Sequence, residues 1–430
     1  MPKQPLSLDF LIIGGGVSGL SCAIGLRRSG HRVVVLDKEA TYSDQAGPRR
    51  MVPNLSKIFY HWGLGKQLKE ITYKTELFEL YLFETGQHLS LWKDDEELLN
   101  ETGGDLLFVN HDDLRRVLGE YAASLGVTIR TSAWVESVDV AATSVTLQSG
   151  ETLRADIIVG ADGPSGVTRG VLAGPNEQSI HVANLCAYSA SIPKNDIMTD
   201  PDLANFYTLE PVSIFKTGRC KRSHLSDKAE FNVYLYHLGN ERFLEISNAK
   251  LKELTASSLP MLRRLVKRVT PGEPLPIYEY KELEDWVSHR LVLIGEAAHP
   301  LPIGSAQACP LAVEDGAVLG KLFSHLKRED QISGFLAAFQ ELRQARTYPL
   351  MRQAFGAMRM LTLPADEQET YRREMHASEH QVITDIKEMP HWHEVADIFS
   401  YNAEDDADNW WVSWGLLKER AEGIEVESPF

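Results

Sequence analysis

Gly14, Gly16 and Gly19 fall in the pattern G-x-G-x-x-G within "LIIGGGVSGL", directly after an apolar run and directly before a helical pattern. Phosphate chemistry explains the spacing. Backbone N–H groups at a helix N-terminus must approach a pyrophosphate closely, and side chains at those positions would intervene. The wider stretch "LDFLIIGGGVSGLSCAIGLRRSGHRVVVLDKEA" reads as strand, helix ending at Gly30, and second strand ending at Asp37, a βαβ unit of about thirty residues. A carboxylate there can accept hydrogen bonds from adenosine ribose hydroxyls. Taken alone, the glycines also suit a turn that only lets a helix pack closely. With strand, helix, second strand and acid in register they favour a dinucleotide, without separating NAD from FAD.

Two later segments repeat the logic of a buried strand ending in glycine and acid: "DIIVGADGPSGVTR" (156 to 169) and "RLVLIGEAAHP" (290 to 300). Together with the opening motif, in this order and spacing, they resemble the fingerprints of the FAD-dependent group A monooxygenases, the family of para-hydroxybenzoate and salicylate hydroxylases. "PNLSKIFYHWGLG", "HDDLRRVL", "AVEDGAVLGKLF", "FQELRQART" and "FSYNAEDDADNWW" are similar to fungal salicylate-hydroxylase-like members. The likeness runs from about residue 8 to 415 and is weakest between 170 and 280.

The resemblance implies FAD as cofactor and NAD(P)H as a transient co-substrate. O₂ would add to the reduced flavin, and the resulting C4a-hydroperoxide would hydroxylate an electron-rich phenolic or fused-ring substrate. Carried over residue by residue, Gly14, Gly16 and Gly19 would hold the pyrophosphate and Asp37 the ribose, with Asp162 and Gly163 lining the channel beside them. Glu296 would lie near the ribityl chain, and the loop through Ala308 and Cys309, ahead of a helix starting near Pro310, would offer amides to the flavin pyrimidine edge. Lys38, Gly47, His111 and Arg115 complete the expected cofactor contacts. Tyr234 and Tyr236 share a face of "FNVYLYHLG", so either could assist phenol deprotonation, as could Lys216 or Arg219. With His111, these tyrosines are the candidate catalytic residues.

Departures from the family pattern lie at the flavin. Glu296 stands where Asp is usual, Ala308-Cys309-Pro310 replaces a glycine-containing stretch, and His111 occupies a position usually held by Arg. Pro310 costs little at a first helical position, where the missing N–H has no partner anyway. His111 could make flavin reduction pH-sensitive, and Arg115 on the following turn could supply the missing cation. These changes raise an alternative: an FAD-fold oxidase, dehydrogenase or non-redox cyclase. Cys309 is read as a small filler, although a helix N-terminus stabilises thiolates. His299 is read as structural. His391 and His393 have H-x-H spacing but no third ligand, so no metal is expected.

The elements that position these residues follow from periodicity. Residues 51 to 70 read as helix, as does "HDDLRRVLGEYAASLG", which ends at Gly126. From 128 to 163 the period becomes two. "CAYSASI", "FNVYLYHLG" and "RFLEIS" then suggest a mostly antiparallel sheet, and "HRLVLIGEAAH" returns to buried-strand character. The fold class is α/β: a discontinuous Rossmann-like FAD-binding domain (1–175 and 286–350), an inserted β-rich substrate domain (176–285), and a C-terminal helical region (351–430) whose acidic, tryptophan-containing end packs with its charges solvated.

The 430 residues are 43% hydrophobic and 24% charged, ordinary values for a folded chain. A formal charge of −16 disfavours nucleic acid. Four cysteines, far apart and without C-x-x-C spacing, suggest neither a disulfide framework nor zinc and fit the cytoplasm. Glycines interrupt the N-terminal apolar run, and nothing reaches about 18 uninterrupted apolar residues, so neither a signal peptide nor a membrane span is expected.

Overall fold

Strands Asp9–Ile13, Ile157–Gly160 and Leu291–Leu293 are buried along almost their whole length, which requires cover on both faces of their sheet. A computed structural model describes residues 6–41, 48–74, 77–82, 88–93, 96–174, 180–208, 212–216, 220–224, 230–238, 252–253, 255–256, 258, 260–268, 275–360 and 392–417. In it these strands belong to a six-stranded sheet ordered Val287–Ser288, Leu291–Leu293, Ile157–Gly160, Asp9–Ile13, Arg32–Leu36, Thr128–Arg130. All pairings are parallel except at the edge strand Val287–Ser288. The glycine-and-acid segments therefore leave the same end of adjacent strands, where α/β folds bind ligands.

Helices Val17–Arg28 and Ala308–Ser324 pack together almost backbone to backbone. A Cβ on Gly25 would strike the Gly316 carbonyl, and one on Gly316 would strike the backbone of Cys22. Ser29 Oγ donates to the Gly320 carbonyl at 2.7 Å across the same contact. This close crossing locks the second half of one helix, which follows the phosphate-type loop, against the middle and second half of the other.

A seven-stranded sheet forms the second layer, in the order Leu275–Glu279, Ile180–Pro193, Glu230–Leu238, Cys220–His224, Val212–Lys216, Leu77–Leu82, His88–Lys93. It is antiparallel except where Val212–Lys216 runs parallel to Leu77–Leu82. Leu77–Leu82 and His88–Lys93 thus leave the span 1–175 expected for the nucleotide half and join the β-rich layer, through a long-range pairing that local periodicity does not reveal. "RFLEIS" lies outside the described residues.

Two helices, Pro53–His61 and Gly65–Ile71, replace the single one expected over 51 to 70. The break comes at Gly63, whose φ of +89° suits glycine and ends the first helix. Helix Ile332–Met360 runs straight through the expected boundary at 350 with Pro349 inside it. Helices Trp392–Ser400 and Ala403–Trp410 follow, the second capped by Asn402, whose side-chain oxygen accepts from the Glu404 and Asp405 N–H groups. Ala403, Ala407 and Trp411 are buried, while Trp414 on the following turn is exposed. No helix among the described residues is long and apolar enough to cross a membrane.

Candidate functional site

One cleft of about 570 Å³ is lined by residues from all of the glycine-and-acid segments: Gly14 and Gly16 from the first, Asp162 and Gly163 from the second, Glu296 from the third. Gly14 has a φ of +109°, and a Cβ there would collide with the Ala161 carbonyl, so the first two loops touch at this glycine. Gly19 lies behind the turn, where a Cβ would strike the Gly14 carbonyl. Gly16 differs: nothing lies within 4 Å of a Cβ built there. It opens on free space at the N-terminus of helix Val17–Arg28, where the first N–H groups have no side-chain cap.

Asp37 lines the cleft, with one carboxylate oxygen accepting from the Glu39 N–H at 3.1 Å and the other from Arg115 Nη2 at 2.9 Å. Arg115 also donates to the Gly15 carbonyl at 3.2 Å. This places Arg115 at the phosphate-type loop, binding Asp37 to the first turn. Lys38 lies over the ring of Trp134, 5.3 Å from its centre, and both line the cleft. Trp134 is 51% exposed and was not foreseen. It follows a short strand with no motif, and only its place beside Lys38 marks it.

Asp162 turns its carboxylate to Thr168, accepting from both the N–H and the hydroxyl, and thereby anchors the start of helix Val167–Ala173. Burial pushes this carboxyl up, against those hydrogen bonds. Arg169, fully buried, reaches the third loop, donating to the carbonyls of Ala297 (2.9 Å), Ala298 (3.2 Å) and Lys281 (2.8 Å). The "VTR" after the second motif thus clamps the third.

Asp315 holds the same loop from the other side. Its Oδ2 accepts from the Gly295 N–H and pairs with His299 Nε2, both at 2.7 Å, and its Oδ1 accepts from Arg343 Nε at 2.7 Å. Arg343 Nη2 reaches Glu314 at 2.9 Å, and Glu314 also takes Asn54 Nδ2 at 2.7 Å and Arg346 at 3.3 Å. Arg343 Nη1 donates to Tyr401, whose hydroxyl donates to Asp406. His299 therefore orients the loop from inside a buried network that extends to the C-terminal helices.

Ala308 and Cys309 line the far end of the cleft at the start of helix Ala308–Ser324. Pro310 is the third residue of that helix rather than its first. The consequence is the same, since the N–H of a third helical residue also lacks an intrahelical acceptor. Burial pushes the Cys309 thiol up to about 11, against the pull of Arg49, so this helix start holds a thiol and not a thiolate. Glu296 opens onto the cleft, yet the protein around it crowds out enough water to push its carboxyl up, with Arg49 and His299 opposing.

His111 begins helix His111–Ser124 and lines the cleft. Burial, then the charges of Arg49 and Arg115, pull its imidazole down to about 3. That leaves it neutral across the physiological range. Arg49 lines the same cleft and was missed. It follows a segment without periodicity, and only the tertiary pairing of Pro48–Met51 with Leu107–Asn110 brings it there.

Tyr234 and Tyr236 lie on strand Glu230–Leu238, opposite Ser189 and Ala187 of Ile180–Pro193. Lys216 ends Val212–Lys216, opposite Leu82. Gly47, Arg219 and His391 lie outside the described residues, and His393 is exposed on Trp392–Ser400. Among the described residues no cluster of His, Cys, Asp and Glu has the makings of a metal site.

A family model described as an FAD binding domain matches residues 7–354. The FAD-dependent monooxygenase OpS4 of Beauveria bassiana (strain ARSEF 2860) is 27% identical over 364 residues, covering 82% of this chain and 84% of its own. A 3-hydroxybenzoate 6-hydroxylase of Klebsiella oxytoca is 23% identical over 346 residues, covering 78% and 84%. Klebsiella pneumoniae HpxO, solved in complex with FAD and uric acid, shares the fold at a TM-score of 0.77, with 19% identity, over 91% of this chain and 96% of that one. The chain therefore belongs to the FAD binding domain family, with flavin-dependent monooxygenases among its relatives.

Proposed function

We propose that this protein uses NAD(P)H and O₂ to hydroxylate an electron-rich aromatic substrate, a phenol or a fused-ring compound, in the cytoplasm. Its cofactor is FAD and its class is flavin-dependent monooxygenase. The observation that carries the reading is the single cleft shared by the three loops, and the relative named for 3-hydroxybenzoate supports an aromatic substrate.

The residues fit FAD. Space opens at Gly16 where a Cβ would project, N–H groups stand at the start of Val17–Arg28, and Asp37 is held at the same end. Gly14, Gly16 and Gly19 would admit the pyrophosphate, Asp37 and Lys38 would hold the adenosine end, Asp162 and Gly163 would line the channel, and Ala308 and Cys309 would offer their amides at the other end. When bound, FAD supplies acceptance of hydride from NAD(P)H and activation of O₂. The chain contributes orientation, exclusion of water and proton handling. Among the described residues no feature favours the oxidase, dehydrogenase or cyclase alternative. Pro310 removes no intrahelical hydrogen bond, and burial holds His111 neutral.

The direct test is to screen phenolic compounds for stimulated NAD(P)H oxidation by the FAD-loaded protein. A product heavier by one oxygen, labelled from ¹⁸O₂, is expected; substrate oxidation without the label would sink the proposal. Within that reaction Tyr236, from the β-rich layer, is the residue we assign to promoting phenol ionisation. Tyr236→Phe is expected to slow hydroxylation about tenfold, a modest share of a general-base effect, while flavin reduction in single-turnover experiments changes less than twofold. Equal effects on both steps, or on neither, would remove Tyr236 from that role.

A further inference from the structure

Lys38, Arg49 and Arg115 are cations that line the cleft. Arg115 bonds to Asp37 and to the Gly15 carbonyl, and Lys38 lies over Trp134. Arg49 stands elsewhere. Its strand pairs antiparallel with Leu107–Asn110, Arg49 opposite Val109, so it approaches from beside the segment that leads into His111. The next residue, Arg50, donates to the Gly304 carbonyl at 3.4 Å, tying this strand to the loop ahead of Ala308. Arg49 thus shares the cleft wall with His111, Glu296 and Cys309, each of which feels its charge.

The helix start at Ala308 and Cys309 is short of positive potential. The Gln307 N–H is already taken by Ser305 Oγ at 3.3 Å, and Pro310 has no N–H, which leaves Ala308 and Cys309 as the donors at the start of the helix. His111 contributes no charge at neutral pH, and Glu296 adds a carboxyl. A flavin that takes up two electrons and one proton carries one net negative charge, and an environment without a cation would disfavour it.

We infer that Arg49 is the residue that selects reduced, anionic FAD over oxidised FAD, supplying from a neighbouring strand the positive charge that the shortened set of helix N–H donors lacks. The inference rests on the FAD reading above. It assigns Arg49 a discriminating role, distinct from general cofactor retention.

Dissociation constants for oxidised and dithionite-reduced FAD, measured on wild type, Arg49→Met and Arg49→Lys, test it, with the midpoint potential as an independent readout. Arg49→Met is expected to lower the preference for reduced FAD about tenfold, equivalent to a midpoint about 30 mV more negative for a two-electron couple. Arg49→Lys should keep most of the preference. An Arg49→Met ratio within twofold of wild type overturns the inference, as does a variant that loses both forms equally. Should Arg49→Met not fold, Arg49→Gln is judged by the same ratio. Failure of the wild-type protein to bind FAD at all would instead refute the cofactor assignment, leaving the two results distinguishable.

Discussion

Asp315→Ala is expected to destabilise the protein by about 3 to 5 kcal/mol and to weaken FAD binding about tenfold, although Asp315 does not line the cleft. Asp315 and Arg343 are both fully buried and 2.7 Å apart. Removing the carboxylate leaves a buried guanidinium with one fewer counter-charge, and it strips the Gly295 N–H and His299 Nε2 of their acceptor. Breaking such a pair costs far more than never having formed it. The double variant Asp315→Leu with Arg343→Met should therefore lose less than the sum of the single losses, a coupling that urea unfolding can measure. Additive losses would mean that the pair is not a unit. Loss of FAD affinity is expected because the freed loop carries Glu296 into the cleft.

The same network sets an acid limit. His299, Arg343 and the Gly295 N–H hold the Asp315 carboxyl below its ordinary value despite burial. A depressed carboxyl contributes stability that is fully present above its unfolded pKa of about 4 and is lost as pH falls through its lower folded value. Thermal midpoints of wild type and Asp315→Asn should therefore differ most above pH 5 and converge in stronger acid. Divergence on acidification would contradict the assignment.

The parts legible in the sequence were the local ones. G-x-G-x-x-G, its flanking strands and Asp37 fall within one βαβ unit, so spacing alone reports their geometry. Arg115 shows the limit. Its place on a helix was legible, but its partner Asp37 lies 78 positions away, and only tertiary structure reveals that the pair closes on the first turn. Arg49 and Trp134 carried no spacing signal because long-range packing brings them to the cleft. Leu77–Leu82 was assigned to the nucleotide half because its parallel partner, Val212–Lys216, is remote, and parallel pairing leaves no turn signature between partners. Helix Ile332–Met360 continues through Pro349, held on that side by Tyr348, whose hydroxyl accepts from the Trp286 indole N–H.

Two glycines of the first motif should fail in different ways, and the contrast tests the location of the cofactor. At Gly14 the backbone is left-handed, and a Cβ would press on the Ala161 carbonyl, which is backbone and cannot swing aside. Gly14→Ala is expected to force the first two loops apart, costing about 3 kcal/mol of apo-protein stability from strain and overpacking together and weakening FAD about 100-fold. At Gly16 the added methyl meets no protein atom and φ is an ordinary −75°. Gly16→Ala should therefore leave the apo-protein thermal midpoint within about 1 °C of wild type, because neither strain nor a clash is introduced. Its methyl would enter the space where the pyrophosphate must approach the helix N-terminus, so FAD titration should again show a loss of about 100-fold. A Gly16→Ala protein that binds FAD like wild type would mean that the phosphates do not pass this turn, and the assignment of the cleft would fall with it.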